Sequence, residues 1–332
     1  MNILLSCVGR RTYIADFLRP YLQVGEKIIG TSSVALTPGF SFCDLGVIVP
    51  PICHEEYIPA VLDVCNKLEV GGVLSLFDQD IDRLSNFRDD FLDAGISPVF
   101  PSADVSRICF DKVATANFLK EHRFHGPKTF SDLNGTREAL REGSLHFPLF
   151  VKPRYGFASE HVFIARNDAE LEVFFNYRND MIVQEKLRGK EHSFDVCSNL
   201  DAEPLAAVFK EKLAMRAGET DQARTIYDPE RLELAFRLAR TLGCPGPLDI
   251  DLFIDGDRAA VLEFNPRFGG GYPASACAGA DFPRILVELM RYGTYTPDTL
   301  SYRNQVFMMK SYQIICGTEE ELNDNVVYAS DI

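Results

Sequence analysis

The sequence lacks the features of a membrane or secreted protein. No apolar run approaches the roughly 18 residues that a membrane-spanning helix needs. The short apolar stretch at residues 1–7 has no basic segment before it, and two arginines follow it. We therefore predict that it is a buried strand and not a signal segment. The expected setting is cytoplasmic, with no membrane partner.

Paired cysteines are also lacking. Nine cysteines are present, but none form a C-x-x-C pair and their number is odd. This pattern argues against a disulfide framework and against a zinc knuckle. Reduced and mostly buried thiols are expected, as in a cytosolic protein.

Several motifs of common enzyme classes are missing. The chain contains no G-x-x-x-x-G-K-[ST], which disfavours a P-loop NTPase, and no H-E-x-x-H or G-x-S-x-G. Gly9 follows the first predicted strand without a G-x-G-x-x-G pattern, so this unit is a poor candidate for binding a dinucleotide.

Positive charge is in short supply. Against 48 acidic residues there are 34 lysines and arginines, which gives a formal net charge of -14. Such a surface repels phosphate backbones, so nucleic acid is not expected as a partner. Hydrophobic residues make up 46% of the 332, enough for a sizeable core in two or three packed units.

Strand and helix signals alternate over the first hundred residues. This alternation is typical of a parallel sheet with helices on its faces. The predicted strands are 3–5, 27–30, 46–49 and 72–76, and the predicted helices are 13–22 and 55–68.

The pattern changes from about residue 103. A helix is predicted over 104–123, with Asp111 and Lys112 inside it, and an amphipathic helix over 229–242. The remaining segments favour strands at 147–152, 161–165, 181–184, 193–199 and 206–211.

An acidic hairpin is the sharpest signal. Residues 248–254 and 259–264 flank an Asp-Gly-Asp turn. Because strand side chains alternate between faces, Asp249 and Asp251 share one face of the first strand, and Glu263 and Asn265 share one face of the second. Buried acids need partners, and magnesium takes hard oxygen ligands. The alternative is an acidic strand end that faces water or pairs with Arg267.

Lys152 ends an apolar strand just before a turn. There its ammonium group could neutralise a nucleotide phosphate. Alone, the segment favours a lysine that reaches solvent from a sheet edge; beside the acidic hairpin, phosphate binding is favoured.

The segment 182–191 runs from an apolar strand into a polar linker. Backbone groups of such a hinge could contact an adenine edge, and a carboxylate six residues further on could contact ribose. A charged surface turn explains this segment alone equally well.

These residues resemble the ATP-grasp superfamily, and most closely one ATP-binding half of the carbamoyl phosphate synthase large subunit. The most specific motif is Glu263-Phe-Asn265-Pro-Arg267. The resemblance covers essentially the whole chain, since the other motifs occur in the family's order and rough spacing: Asp111-Lys112, Val151-Lys152-Pro153, Glu185-Lys-Leu187 and Gly189-Lys-Glu191.

The resemblance implies a role for each matching residue. Asp251, Glu263 and Asn265 would bind Mg²⁺ or Mn²⁺. ATP would be bound by Lys112 and Lys152 through its phosphates, by Glu185 and Leu187 through adenine, and by Glu191 through ribose. Arg267 would face the migrating phosphoryl group and the acid, and Arg216 matches a phosphate-contacting position.

Three departures from the family pattern stand out. The flap after Lys152 is glycine-rich in the family, but residues 156–161 contain one glycine. Asp251 replaces a glutamine of the synthase. One ATP-binding half is present where the synthase needs two, which argues against complete carbamoyl phosphate synthesis.

The resemblance implies an α/β and α+β fold in three parts. These are a parallel-sheet pre-ATP-grasp domain over 1–102, an ATP-grasp N-lobe over 103–185 and a C-lobe with the metal site over 186–332. The expected activity is an ATP-dependent ligase that converts a carboxylate to an acyl phosphate and couples it to an amine, releasing ADP and phosphate.

Alternatives to this activity remain. One is phosphorylation of bicarbonate or carbamate, and another is a non-catalytic ATP-binding regulatory module. Small-molecule acid and amine substrates are the expected partners. A homodimer is compatible with the sequence, which specifies neither the oligomeric state nor the substrates.

Overall fold

The computed structural model describes residues 1–156, 160–295 and 301–332. Within these ranges the strands are β1 (Asn2–Ser6), β2 (Ile28–Ser32), β3 (Leu45–Ile48), β4 (Val70–Ser75), β5 (Ser97–Pro98), β6 (Thr129–Phe130), β7 (Leu149–Pro153), β8 (Phe163–Ala165), β9 (Met181–Glu185), β10 (Lys190–Ser198), β11 (Pro204–Arg216), β12 (Glu219–Ile226), β13 (Gly246–Asp255), β14 (Arg258–Asn265), β15 (Phe307–Met309) and β16 (Val326–Tyr328).

The helices of the same ranges connect these strands. They are α1 (Tyr13–Leu18), α2 (Tyr57–Lys67), α3 (Asp78–Ser85), α4 (Arg88–Asp93), α5 (Ala103–Phe110), α6 (Lys112–Glu121), α7 (Leu133–Arg141), α8 (Asp168–Phe175), α9 (Pro229–Leu242), α10 (Tyr272–Ala278), α11 (Phe282–Tyr292) and α12 (Glu319–Leu322). None of the helices in the described ranges is long and apolar enough to cross a membrane.

The first sheet is parallel throughout, with strand order β16-β3-β2-β1-β4-β5. One face packs against α2, α3 and α4, and the other against α1 and α11. This confirms the parallel sheet predicted from the alternating pattern. Its edge strand β16 comes from near the C-terminus, which the sequence did not indicate.

Two antiparallel sheets follow. The smaller one, in the order β6-β9-β7-β8, packs against α7 and α8. The larger one has the order β14-β13-β10-β11-β12-β15. One of its faces is apolar and buries residues such as Phe194, Phe209 and Ile250 against α9. The α/β and α+β expectation is confirmed, whereas the boundaries after residues 102 and 185 stay predictions.

Helix α9 shows how local sequence sets its ends. Asp228 accepts hydrogen bonds from the backbone of Glu230 and Arg231, and Pro229 occupies the first turn. Gly243 ends the helix with φ 72°, in the left-handed region that favours glycine. The helix predicted over 229–242 is confirmed to the residue.

The single helix predicted over 104–123 is wrong, because Asp111 divides it. Asp111 has extended backbone (φ -97°, ψ 108°), and its side chain accepts hydrogen bonds from Val113 N and Ala114 N. An aspartate that caps a new helix competes with continuation of the previous one. Two helices, α5 and α6, result, and Lys112 becomes the first residue of the second.

Gly189, in the hinge between β9 and β10, lies too close to the main chain of β13 for a larger residue. Its φ is 92°, and an added Cβ would lie 2.0 Å from Ile254 O. Gly189→Ala should therefore destabilise the fold more than Gly243→Ala, where φ is 72° but nothing lies within 4 Å. We expect roughly 1 kcal/mol for the control, from backbone strain alone, and roughly 1–3 kcal/mol more for Gly189→Ala. Urea unfolding measures both, and equal losses would contradict the clash.

Candidate active site

The site lies on the face of the larger sheet that does not pack against α9. Antiparallel register sets its layout: Asp251 lies directly opposite Glu263, and Asp249 directly opposite Asn265. Asp249 and Asp251 are each only 6% exposed. The three predicted metal ligands, Asp251, Glu263 and Asn265, are therefore brought together on facing strands.

A cleft separates this polar face from the first sheet and from α5 and α6. Both sides contribute charged side chains to its lining: Arg11, Asp78, Lys112, Lys212, Glu219 and Arg267. The predicted ligands Asp251, Glu263 and Asn265 also line it.

The two lysines predicted to bind phosphate converge on Glu263. Lys112 Nζ donates to Gly156 O at 2.9 Å, and Lys152 is buried in β7. Burial lowers the pKa of Lys152 to about 8, although the negative charge of Glu263 opposes that shift. Burial also favours neutral Glu263, but the charges of Lys152 and Lys112, with those of Lys212 and Arg267, together outweigh it and lower the Glu263 pKa.

Lys212 belongs to the site, although the sequence analysis missed it. Its Nζ lies 2.5 Å from Asp251 Oδ1 and 2.9 Å from Glu191 Oε1. Burial opposes its charge, but Asp251, Asp249 and Glu191 together raise its pKa. The available signal was the Lys210-Glu211-Lys212 alternation at the end of an apolar strand, which places both lysines on one face.

Arg267 pairs with Asp78, an acid of the first domain. Arg267 Nε lies 2.9 Å from Asp78 Oδ1, and a second guanidinium nitrogen donates to Asn265 Oδ1 at 3.2 Å. In the opposite direction, Arg11 of the first domain lies 3.1 Å from Glu219 of the larger sheet. Two reciprocal ion pairs thus bridge the cleft, and one of them holds the predicted catalytic arginine.

Arg216 is not brought to the cleft. Its side chain is 60% exposed and lies 3.7 Å from Asp221, and its guanidinium stacks over Tyr312 at 5.8 Å. Its predicted contact with phosphate stays a prediction.

The three predicted adenosine contacts follow one another through the hinge. Glu185 ends β9 and exchanges hydrogen bonds with the backbone of Lys128. Leu187 lies half-buried in the linker, and Glu191 is the second residue of β10, beside Lys212. The glycine-poor flap predicted after Lys152 includes residues 157–159, which lie outside the described residues.

The donor set suits magnesium bound together with a nucleotide. Two carboxylates and one amide are hard oxygen donors, and magnesium commonly takes one or two carboxylates while keeping waters and phosphate oxygens. Among the described residues, no group of three His, Cys, Asp or Glu side chains is placed to hold a metal ion. The fit to magnesium lies in the donor types of Asp251, Glu263 and Asn265, which are two carboxylates and one amide on neighbouring strands.

Two family models match the chain. One, described as an ATP-grasp domain, matches residues 109–271. The other, described as a PylC-like N-terminal domain, matches residues 3–99. A D-alanine–D-alanine ligase of Thermotoga maritima is 31% identical over 224 residues, which cover 60% of this chain and 71% of the relative.

Solved structures share the fold. N5-carboxyaminoimidazole synthetase of Staphylococcus aureus, complexed with ADP, superimposes with a TM-score of 0.73 at 14% identity, covering 98% of this chain and 84% of that one. The biotin carboxylase domain of a Hydrogenobacter thermophilus carboxylase, with MgADP and bicarbonate, gives 0.71 at 14% identity, covering 92% and 73%.

The geometry of the site and the comparisons with known proteins indicate the same family. The geometry contributes the acidic hairpin and the converging lysines, and the comparisons contribute the two family models and the ligase relative. The chain belongs to the ATP-grasp family and is an ADP-forming carboxylate–amine ligase that uses ATP and Mg²⁺.

Proposed function

We propose that ATP lies in the cleft with its terminal phosphates at Lys112, Lys152 and Glu263. The observation that carries this is the meeting of a half-buried lysine of α6, a buried lysine of β7 and one carboxylate of β14. Adenine then lies along Glu185 and Leu187, and ribose meets Glu191. Mg²⁺, or Mn²⁺, held by Asp251, Glu263 and Asn265 would neutralise the terminal phosphates and align them.

Two displacements give the product. A carboxylate oxygen of the acid attacks the γ-phosphorus, the bond to the β,γ-bridging oxygen breaks, and ADP leaves. The amine nitrogen then attacks the carbonyl carbon of the acyl phosphate, and the C–O bond to phosphate breaks. An entering ammonium loses two protons overall, of which phosphate keeps one and solvent receives the other.

The protein contributes position and charge to both steps. Lys112 and Lys152 neutralise the phosphates. Lys212 pairs with Asp251 and offsets part of the burial that raises the pKa of that carboxyl group. Arg267, oriented by Asp78 at 2.9 Å, can donate two parallel hydrogen bonds to oxygens on which charge develops. Fixed donors of this kind lower the barrier more than they tighten substrate binding.

Small molecules are the proposed substrates. The relative's name points to an amino acid as the acid, and the cleft carries charges of both signs, which suits a zwitterion. We place the reaction in the cytoplasm, since all nine cysteines are free thiols, and propose a homodimer, because the similar carboxylase domain is described as a dimer. The acidic chain has no proposed nucleic-acid or membrane partner.

A screen of acids and amines for ADP release tests the reaction. Carboxylic acids, including D- and L-amino acids, should stimulate ADP formation, and an added amine should give an amide. Glu263→Gln, which keeps the side-chain shape, should abolish turnover because the metal and both lysines lose their shared charge. Its thermal midpoint should confirm that it is folded. Stimulation by bicarbonate alone would favour the carbamoyl-phosphate-like alternative, and no stimulation by any acid would favour the regulatory module.

Lys152→Met separates phosphate binding from a structural role. ATP affinity, measured by calorimetry, should fall because a buried positive charge is lost. The free energy of unfolding should rise in the variant at neutral pH. Lys152 has a pKa of about 8 because burial disfavours its charge, so the charged form destabilises the wild type below that pH. Wild type should therefore gain stability relative to the variant between pH 8 and the unfolded pKa near 10.4, by up to about 3 kcal/mol. Unchanged ATP affinity would refute the assignment.

Arg267→Lys tests the reacting centre. ATP affinity should stay close to wild type, while the acid-stimulated rate falls on the order of a hundredfold, the scale of losing one donor to a developing charge. Asp78→Asn is the matched control and should lose less, because the guanidinium remains. If Arg267→Lys is instead unstable and its folded fraction turns over normally, the arginine serves only the interface.

A further inference from the structure

Asp249 is a buried carboxyl group that has no partner among the residues that the structure describes. It is 6% exposed and lines the cleft. Within the described ranges it makes no hydrogen bond and no ion pair. An uncompensated acid at a ligand site is costly to the fold unless a cation reaches it.

The cations around Asp249 are already committed. Lys212 pairs with Asp251 and Glu191. Lys210 forms a fully buried pair with Asp195, which also accepts a hydrogen bond from Ser275 at 2.5 Å. The guanidinium of Arg267 is held by Asp78. Each of these neighbours is paired with another carboxylate, which leaves Asp249 available to a cation from outside the chain.

Space beside Asp249 depends on Gly269. A Cβ added at Gly269 would lie 2.5 Å from Asp249 Cγ and 2.6 Å from its Oδ1. The glycine therefore lets the main chain pass close to the carboxyl group without covering it. Any other residue at this position would push against the carboxyl group.

The strand register places Asp249 at the reacting end of the cleft. Along β13, Phe253 is level with Glu191, Asp251 with Glu263, and Asp249 with Asn265. Each step of two residues is roughly 7 Å. The order along the strand is thus the ribose contact, then Asp251 and Glu263 of the metal site, then Asp249, which is level with the last metal ligand, Asn265.

We propose that Asp249 binds the ammonium group of the amine substrate, so that the amine arrives as a cation. This rests on the proposed function, because the amine must enter beside the acyl phosphate. A charge-assisted hydrogen bond from the ammonium balances the buried carboxylate and holds the nitrogen near the carbonyl carbon. Before attack, one ammonium proton passes to the Asp249 carboxylate, which frees the nitrogen lone pair. The second proton is lost after the C–N bond forms, and phosphate and solvent receive the two protons. The substrate class is a primary ammonium compound, in preference to a neutral amine.

The test compares a cationic amine with a neutral one on Asp249→Asn. The full-length enzyme is assayed with MgATP and the acid that performs best in the screen, using ammonium chloride or hydroxylamine. Hydroxylamine is uncharged near neutral pH and traps acyl phosphates as hydroxamates. We expect kcat/KM for ammonium to fall on the order of a hundredfold, as for loss of a charged hydrogen bond, and hydroxamate formation to stay within about threefold of wild type.

Two further variants sharpen the result. Gly269→Ala, which crowds the carboxyl group, should reproduce the selective loss for ammonium. Asp255→Asn, an exposed acid at the far end of the same strand, should leave both rates unchanged.

Three outcomes would overturn the assignment. If Asp249→Asn raises the Mg²⁺ concentration needed for half-maximal ADP release, as expected for Asp251→Asn, then Asp249 is a metal ligand. If hydroxamate formation falls as far as ammonium use, Asp249 serves the phosphorylation step. If no acid stimulates ADP release in wild type, the proposed function fails first and takes this inference with it.

Discussion

The structure depends on lysines that neutralise the carboxylates buried on one face of the larger sheet. The register of β10, β13 and β14 collects acids on one face, and a bare cluster of this kind would be driven to protonate or unfold. Lys210 forms an ion pair with Asp195, and Lys212 forms ion pairs with Asp251 and Glu191. The lysines of α6 and β7 stabilise the charge of Glu263. The neighbouring positive charges that make the fold tolerable also lower the pKa of Glu263, so that its oxygens are ionised where a metal needs them. One set of charges therefore both stabilises the fold and prepares the site for metal and phosphate.

The first domain contributes side chains to the site. Its parallel strands end in the loops that carry Arg11 and Asp78, at the edge where open α/β sheets bind ligands. Each of these residues pairs with an opposite charge on the larger sheet. The cleft is thus set by side chains from two domains, and the orientation of Arg267 depends on both.

Sequence patterns predicted the parts of the site that lie close together along the chain. The hairpin of β13 and β14 was predictable from its turn, and alternation showed which acids share a face within each strand. The pairing of Asp251 with Glu263 was not predictable, because it needs a register shift between Asp251 and Leu252 that turn and alternation do not give. Asp78 and Arg11 were not, since their roles arise from contact between domains distant in sequence. Lys212 was predictable in principle, because the Lys210-Glu211-Lys212 alternation places both lysines on one face of the strand. The break at Asp111 was missed because helical spacing continues through it, and only the capping geometry shows that the chain restarts.

The position of β16 has a consequence for synthesis of the chain. This strand pairs with β3, so the edge of the first sheet is completed by residues 326–328. A growing chain that emerges N-terminus first presents β1 to β5 long before their last neighbour exists, and the interval at ordinary elongation speed is tens of seconds. During that time the backbone groups of β3 have no strand on their outer side, and an unpaired edge invites foreign strands. Until translation of residues 326–328, the nascent chain is therefore most exposed to mispairing at β3.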